Sequence, residues 1–174
     1  MIHRTEIRSL LAALYPVAAL LMIAPAVDLL GTTWPLRVSQ AGWRFGSLGV
    51  GFGFIVIEIL GLALAMAIAV LLQHRRTLRA LSTIAIGAAI ATTAGIARFL
   101  LDYSELRSLV PTGQSAQFDS TTLRALLLAC LAVPVLAALG GRGWSASAPP
   151  TQGLWQDPAS RPDYVIPMRF RDQI

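Results

Sequence analysis

The sequence predicts an all-α, polytopic membrane protein: four transmembrane helices followed by an irregular, Pro-rich C-terminal tail. Three observations carry that expectation. The 174 residues are 55% apolar and only 13% charged, whereas a soluble domain is about 25% charged. The apolar residues gather into four long runs. The basic residues, fourteen in number and all of them Arg, stand mainly at the ends of those runs, so the net charge of +5 reads as membrane topology and not as a nucleic-acid footprint.

The runs cover approximately residues 9–30, 47–72, 78–101 and 122–139, and about 20 helical residues cross a hydrocarbon core of about 30 Å. Backbone groups in lipid must be satisfied within their own segment, and the alternation of a barrel strand is missing, so the runs are expected to be helices. In the first, Arg4 and Arg8 before the apolar core and Ala24-Pro25-Ala26 after it have the look of a cleavable signal peptide. The apolar stretch continues through Val27, Leu29 and Leu30, which favours a retained span with kinks at Pro16 and Pro25. The second run opens with Gly49, Gly51 and Gly53, but no strand precedes them, and the context of a nucleotide-binding loop is absent. Gly61, Ala65 and Ala69 then recur every four residues, as do Gly87, Ala91 and Gly95 in the third run. Small residues let backbones approach where lipid gives no hydrophobic drive, so the second and third spans are expected to be the close pair. The fourth run is the shortest, and its Cys130 is the one cysteine, which excludes an intrachain disulfide.

Orientation follows from the Arg distribution. The connection Gln73-His74-Arg75-Arg76-Thr77, with Arg79 just beyond, is short and strongly basic and belongs in the cytoplasm. The N-terminal Arg4 and Arg8 and the segment beginning at Arg142 fall on the same side, giving both termini a cytoplasmic location in a bacterial inner membrane. The other two loops then face outward.

Ionisable residues within spans are the default functional candidates. Glu58 lies about eleven residues into the second run, about 15 Å deep at 1.5 Å per residue. Thr92 and Thr93 of the third run reach a similar depth and offer hydroxyls to it. A carboxyl in that position favours its neutral form unless a cation reaches it; the two readings are a proton or cation relay and an interhelical hydrogen bond. A relay needs further titratable groups along its path, and the cytoplasmic half of the bundle supplies none, which favours the hydrogen bond. Asp28, Arg98, Asp102 and Arg124 gather at the outer ends of the first, third and fourth spans, where anchoring to headgroups is the simpler reading and a ring of ion pairs the other. Trp34, Trp43, Arg44 and Phe45 mark the first outer loop as interfacial, suited to anchoring or to bracing a partner.

Several chemistries have no support in the residues. The two histidines, His3 and His74, lie outside or at the edge of the runs, so neither haem nor chlorin ligation within a span is expected. No cluster of metal-ligating residues, HExxH motif or GxSxG elbow occurs, and no catalytic residue, cofactor or metal is assigned. The remainder, residues 140–174, includes Pro149, Pro150, Pro158, Pro162 and Pro167 and cannot form a core of its own. Trp144, Trp155, Tyr164 and Phe170 equip it to lie over a partner's cytoplasmic surface.

The segment from Trp34-Pro35-Leu36-Arg37 to Trp43-Arg44-Phe45-Gly46 resembles one found after the first span of small, uncharacterised bacterial four-helix membrane proteins. That resemblance implies a fold and no activity. The functional expectation is a non-catalytic accessory subunit of a larger membrane complex, of respiratory or photosynthetic type, with no small-molecule substrate and no nucleic acid. The alternative is a small proton-coupled transporter using Glu58.

Overall fold

The computed structural model describes residues 4–148, and every regular element among them is helical. The chain forms α1 (Arg4–Ala13), α2 (Tyr15–Thr33), α3 (Ala41–Leu71), α4 (Arg75–Arg107), a 3-10 turn at Thr112–Gln114, and α5 (Ser115–Ala146). Four stretches are long and apolar enough to cross a membrane: Ser9–Thr33, Ala41–Leu71, Arg75–Arg107 and Thr112–Ala146.

Prolines act differently at the two expected kinks. The helix is interrupted at Leu14, immediately before the Tyr15-Pro16 start of α2, because a proline ring clashes with the carbonyl four residues earlier and donates no hydrogen bond. Pro25 is buried and α2 continues through it. The helices also outrun the apolar runs of the sequence. α3 gains turns at its start, and α4 and α5 gain turns at both ends, since a helix ends where its capping geometry changes and not where hydropathy falls.

The largest difference is at the C-terminal end. Residues 140–146, expected to open the irregular tail, are the last two turns of α5, so the boundary after residue 139 is moved. Gly140 and Gly143 are buried in a helix contact. Trp144 is on this helix and is exposed. Trp155, Tyr164 and Phe170 lie outside the described residues.

The four long helices run alternately up and down, and α3 packs against each of α2, α4 and α5. Its turn into α4 is tight. Gln73 takes a left-handed conformation with φ 58°, and the His74 N–H donates to the Ala69 carbonyl at 2.8 Å, closing the orphan carbonyls of the α3 end. One core cluster joins Ile55, Leu62 and Met66 of α3 to Leu78 and Ala85 of α4 and Leu136 of α5. A second joins Phe52, Phe99, Ala125 and Ala129.

Small residues close the bundle, but not where their spacing suggested. The most extensive helix contact is between α4 and α5, not between α3 and α4. A Cβ on Gly140 would stand 2.6 Å from Ile86 Cγ1 and 3.2 Å from the Ser82 carbonyl oxygen. On Gly143 it would collide with Met66 Cε and Ser82 Oγ. Gly61 faces α2, with Leu21 Cβ and Met22 Cγ each 2.9 Å from a Cβ placed there. Gly87 has nothing within 4 Å and Ala91 is exposed, whereas a Cβ on Gly95 would meet Leu48 and Phe52 of α3 at 3.5 Å, so only the Gly95 end of that stripe faces α3. Sequence spacing shows which residues share a helix face; it does not show which neighbour the face meets.

Candidate functional site

At mid-height the four long helices enclose a cavity of about 190 Å³. Met22 of α2, Glu58 and Leu62 of α3, Ile84 and Thr92 of α4, and Leu136 of α5 contribute to its lining. Glu58 follows Ala41 by 17 residues and precedes Leu71 by 13, while Thr92 follows Arg75 by 17 and precedes Arg107 by 15. Both are therefore central in their helices. The expected neighbourhood of Glu58 and Thr92 is present, but not as a hydrogen bond. Thr93 turns away, its hydroxyl donating to the Ala89 carbonyl at 2.8 Å. Ser82 and Thr83 likewise donate to the carbonyls of Leu78 and Arg79. Among the described residues neither Glu58 nor the Thr92 hydroxyl is bonded to another group, and no polar side-chain atom is sealed from the surface without a partner. Their polar atoms thus open onto the cavity or its mouth, where Ile84 is half exposed.

The α3 N-terminal end of the bundle carries a buried ion-pair cluster. Asp102 is 1% exposed. Its Oδ1 accepts from Arg44 Nη2 at 2.8 Å and its Oδ2 from Arg44 Nε at 3.1 Å, the two-pronged geometry that a planar guanidinium makes with a carboxylate. Arg98, one helical turn before Asp102, lies 3.2 Å from the same Oδ1. Arg44 also donates to the Val38 carbonyl at 2.9 Å, joining the α2–α3 loop to the tip of α4. Beside this, Arg107 pairs with Asp119 at 2.8 Å and Tyr103 donates to Asp119 at 3.0 Å, joining α4 to the start of α5. Under these charges Phe45 stacks on Phe99 with centroids 4.3 Å apart, Phe52 meets Phe99 edge-on, and Phe118 stacks on Phe45 and Tyr103.

This arrangement reassigns two expectations. Asp102 and Arg98 are joined as an ion pair, whereas Asp28 and Arg124 are exposed and outside the ion pairs of the described residues. Arg44 and Phe45, taken as interfacial, turn inward to serve the cluster. Trp43 is half-buried and its indole N–H donates to the Thr33 carbonyl at 2.9 Å, capping the end of α2. Trp34 alone of that group stays fully outward, 72% exposed.

The opposite end is tied more lightly. Tyr15 stacks on His74, its hydroxyl 3.2 Å from Nδ1, linking α2 to the α3–α4 turn. Arg79 donates to the Ser147 hydroxyl and carbonyl oxygen at 3.3 and 3.4 Å, linking α4 to the end of α5. His74 thus serves as a stacking and hydrogen-bonding partner. The i, i+4 spacing of Arg98 and Asp102 was the readable signal of the cluster; pairs 58 residues apart in sequence, such as Arg44 and Asp102, have none.

Among the described residues no group of three or more His, Cys, Asp or Glu is arranged to hold a metal ion. Comparison of the chain with protein-family models, with curated proteins and with solved structures finds no match.

Proposed function

We propose that the chain is a four-span protein of a bacterial inner membrane, with both termini cytoplasmic, and that it serves as a non-catalytic accessory subunit of a larger respiratory or photosynthetic membrane complex. Insertion is supported by the inverted surface. Leu20, Ile23, Val27 and Leu30 of α2, Leu60 and Leu71 of α3, Ile90 of α4 and Leu131 of α5 are all more than half exposed, a distribution that lipid stabilises and water does not. The orientation rests on Arg75, Arg76 and Arg79 at one end.

The observation that carries the scaffold reading is that the bundle is pinned at both ends. Arg44 with Asp102 joins α3 to α4 on the outer side, Asp119 joins α4 to α5, and Arg79 with Ser147 joins α4 to α5 on the inner side. A carrier that alternates its access must rock one part of the bundle against another, and here each such movement breaks a paired charge or a polar tie. A rigid body with apolar flanks is suited to bracing neighbours. The chain, purified from native membranes in mild detergent, should elute at a constant ratio within one larger assembly. Elution alone, as a monomer or a homo-oligomer, would overturn the reading.

The cavity beside Glu58 favours a second reading, a small proton-coupled transporter with Glu58 as the carrier of the proton. In vesicles containing the purified chain, that reading requires a proton-coupled flux which Glu58→Gln abolishes.

A further inference from the structure

Glu58 and Thr92 stand out from the other polar groups in the middle of the bundle. Ser82 and Thr93 satisfy themselves on their own helix, and Asp102 and Asp119 near the ends are paired with Arg44 and Arg107. Glu58 and Thr92 project from different helices into one cavity, each without a bonded partner among the described residues. An unsatisfied polar group in hydrocarbon costs several kcal/mol, so two facing one space define a place for a molecule that can bond to both. A protonated carboxyl and a hydroxyl each donate an O–H. One carbonyl oxygen, with two lone pairs, accepts from the pair.

The remaining lining fixes the rest of the occupant. Met22, Leu62, Ile84 and Leu136 are apolar, and a cavity of about 150 Å³ lined this way holds benzene. At about 190 Å³ the space takes one six-membered ring with a polar substituent, and its open side at Ile84 lets an apolar tail pass outward. We propose that this cavity is a binding site for a membrane-soluble ring bearing a carbonyl oxygen, the chemical class of quinones and ring ketones, held by hydrogen bonds from Glu58 and Thr92. Lipid ester carbonyls belong to headgroup depth and do not reach the middle of a span, which sets the ring apart from a bulk lipid. The inference goes beyond the scaffold reading and shares with it only the premise that the chain spans a membrane.

The test titrates the full chain in lipid nanodiscs with a benzoquinone carrying a ten-carbon tail. Decylbenzene, which has no carbonyl, measures partition into the lipid. Saturable binding of one quinone per chain is expected, over the uptake by protein-free discs. Thr92→Val and Glu58→Leu should each weaken it about tenfold, the scale of one hydrogen bond to a buried partner. Glu58→Gln should retain affinity within about threefold, since its amide still donates. Ala88→Leu and Ala88→Phe, which fill the space from α4, should remove saturation. Uptake equal to protein-free discs overturns the site. Affinity unchanged in both Thr92→Val and Glu58→Leu overturns the carbonyl class, as does equal saturable binding of decylbenzene. Helix content and protease protection of each variant in the discs report insertion separately, so a failure of the membrane premise is distinguishable from a failure to bind.

Discussion

Asp102 is the residue on which the α3 N-terminal end of the bundle depends. Its carboxylate is nearly sealed and balances Arg44, itself 20% exposed at the side chain, and the half-exposed Arg98. Removing one partner of a buried pair leaves an uncompensated charge, which costs about 3–5 kcal/mol. Asp102→Ala should lower the midpoint of thermal unfolding in detergent, at a cost below that range because the Arg44 and Arg98 left behind are partly exposed and stay hydrated. The double variant Asp102→Leu with Arg44→Met should recover most of the loss, because it removes both charges together. Equal losses in the single and double variants would show that the pair contributes packing alone. The sequence made half of this cluster legible: Asp102 and Arg98 were at the right end and at helical spacing. Arg44 was assigned to the interface because a charged residue beside Trp43 reads as an anchor, and the long-range partner that draws it inward leaves no periodic signal. Glu58 and Thr92 were legible by depth arithmetic, whereas the bond expected between them is replaced by a shared cavity.

Helix existence was legible and helix contact only in part. Four apolar runs gave four long helices, because length in hydrocarbon and internal hydrogen bonding leave few alternatives. The partners of each small residue depend on how the helices rotate about their axes, which a repeat every four residues does not state. A graded series follows from the glycines. Gly140→Val would thrust side-chain atoms against the Ile86 side chain and the Ser82 and Ile86 backbone, and neither backbone can yield cheaply; a loss of about 1–3 kcal/mol is expected from such overpacking. At Gly143 an added methyl meets the flexible Met66 tip and the rotatable Ser82 hydroxyl, so Gly143→Ala should cost less than Gly140→Val. Gly87→Val, in open space, should change stability by about 0.5 kcal/mol or less. Thermal unfolding of the three variants checks the order, and an equal loss at Gly87 would place α4 the wrong way round. The α3–α4 turn gives an independent check. Gln73 holds a φ that suits glycine, so Gln73→Gly should be neutral or stabilising, by up to about 1 kcal/mol.

The described residues form a bundle with charged ends, an apolar perimeter and a mostly apolar cavity at mid-height into which Glu58 and Thr92 project. Because Trp144 is on α5 and Ser147 is tied to Arg79, removal of the tail should start after Ala148, not at Trp144. Truncation there should leave the unfolding midpoint of the bundle unchanged but reduce the fraction of chain retained in its native assembly, since aromatic anchors such as Trp155, Tyr164 and Phe170 commonly carry much of an interface's energy. Undiminished retention would move the attachment to the exposed apolar helix faces. All of this stands on the arrangement of the four spans in a membrane, and reporter fusions at the loops measure that arrangement directly. Fusions after Arg76 and after Ala148 should both report the cytoplasm, and a fusion after Gln114 should report the exterior. An exterior signal at Arg76, or the same signal at Arg76 and Gln114, would contradict the four-span account.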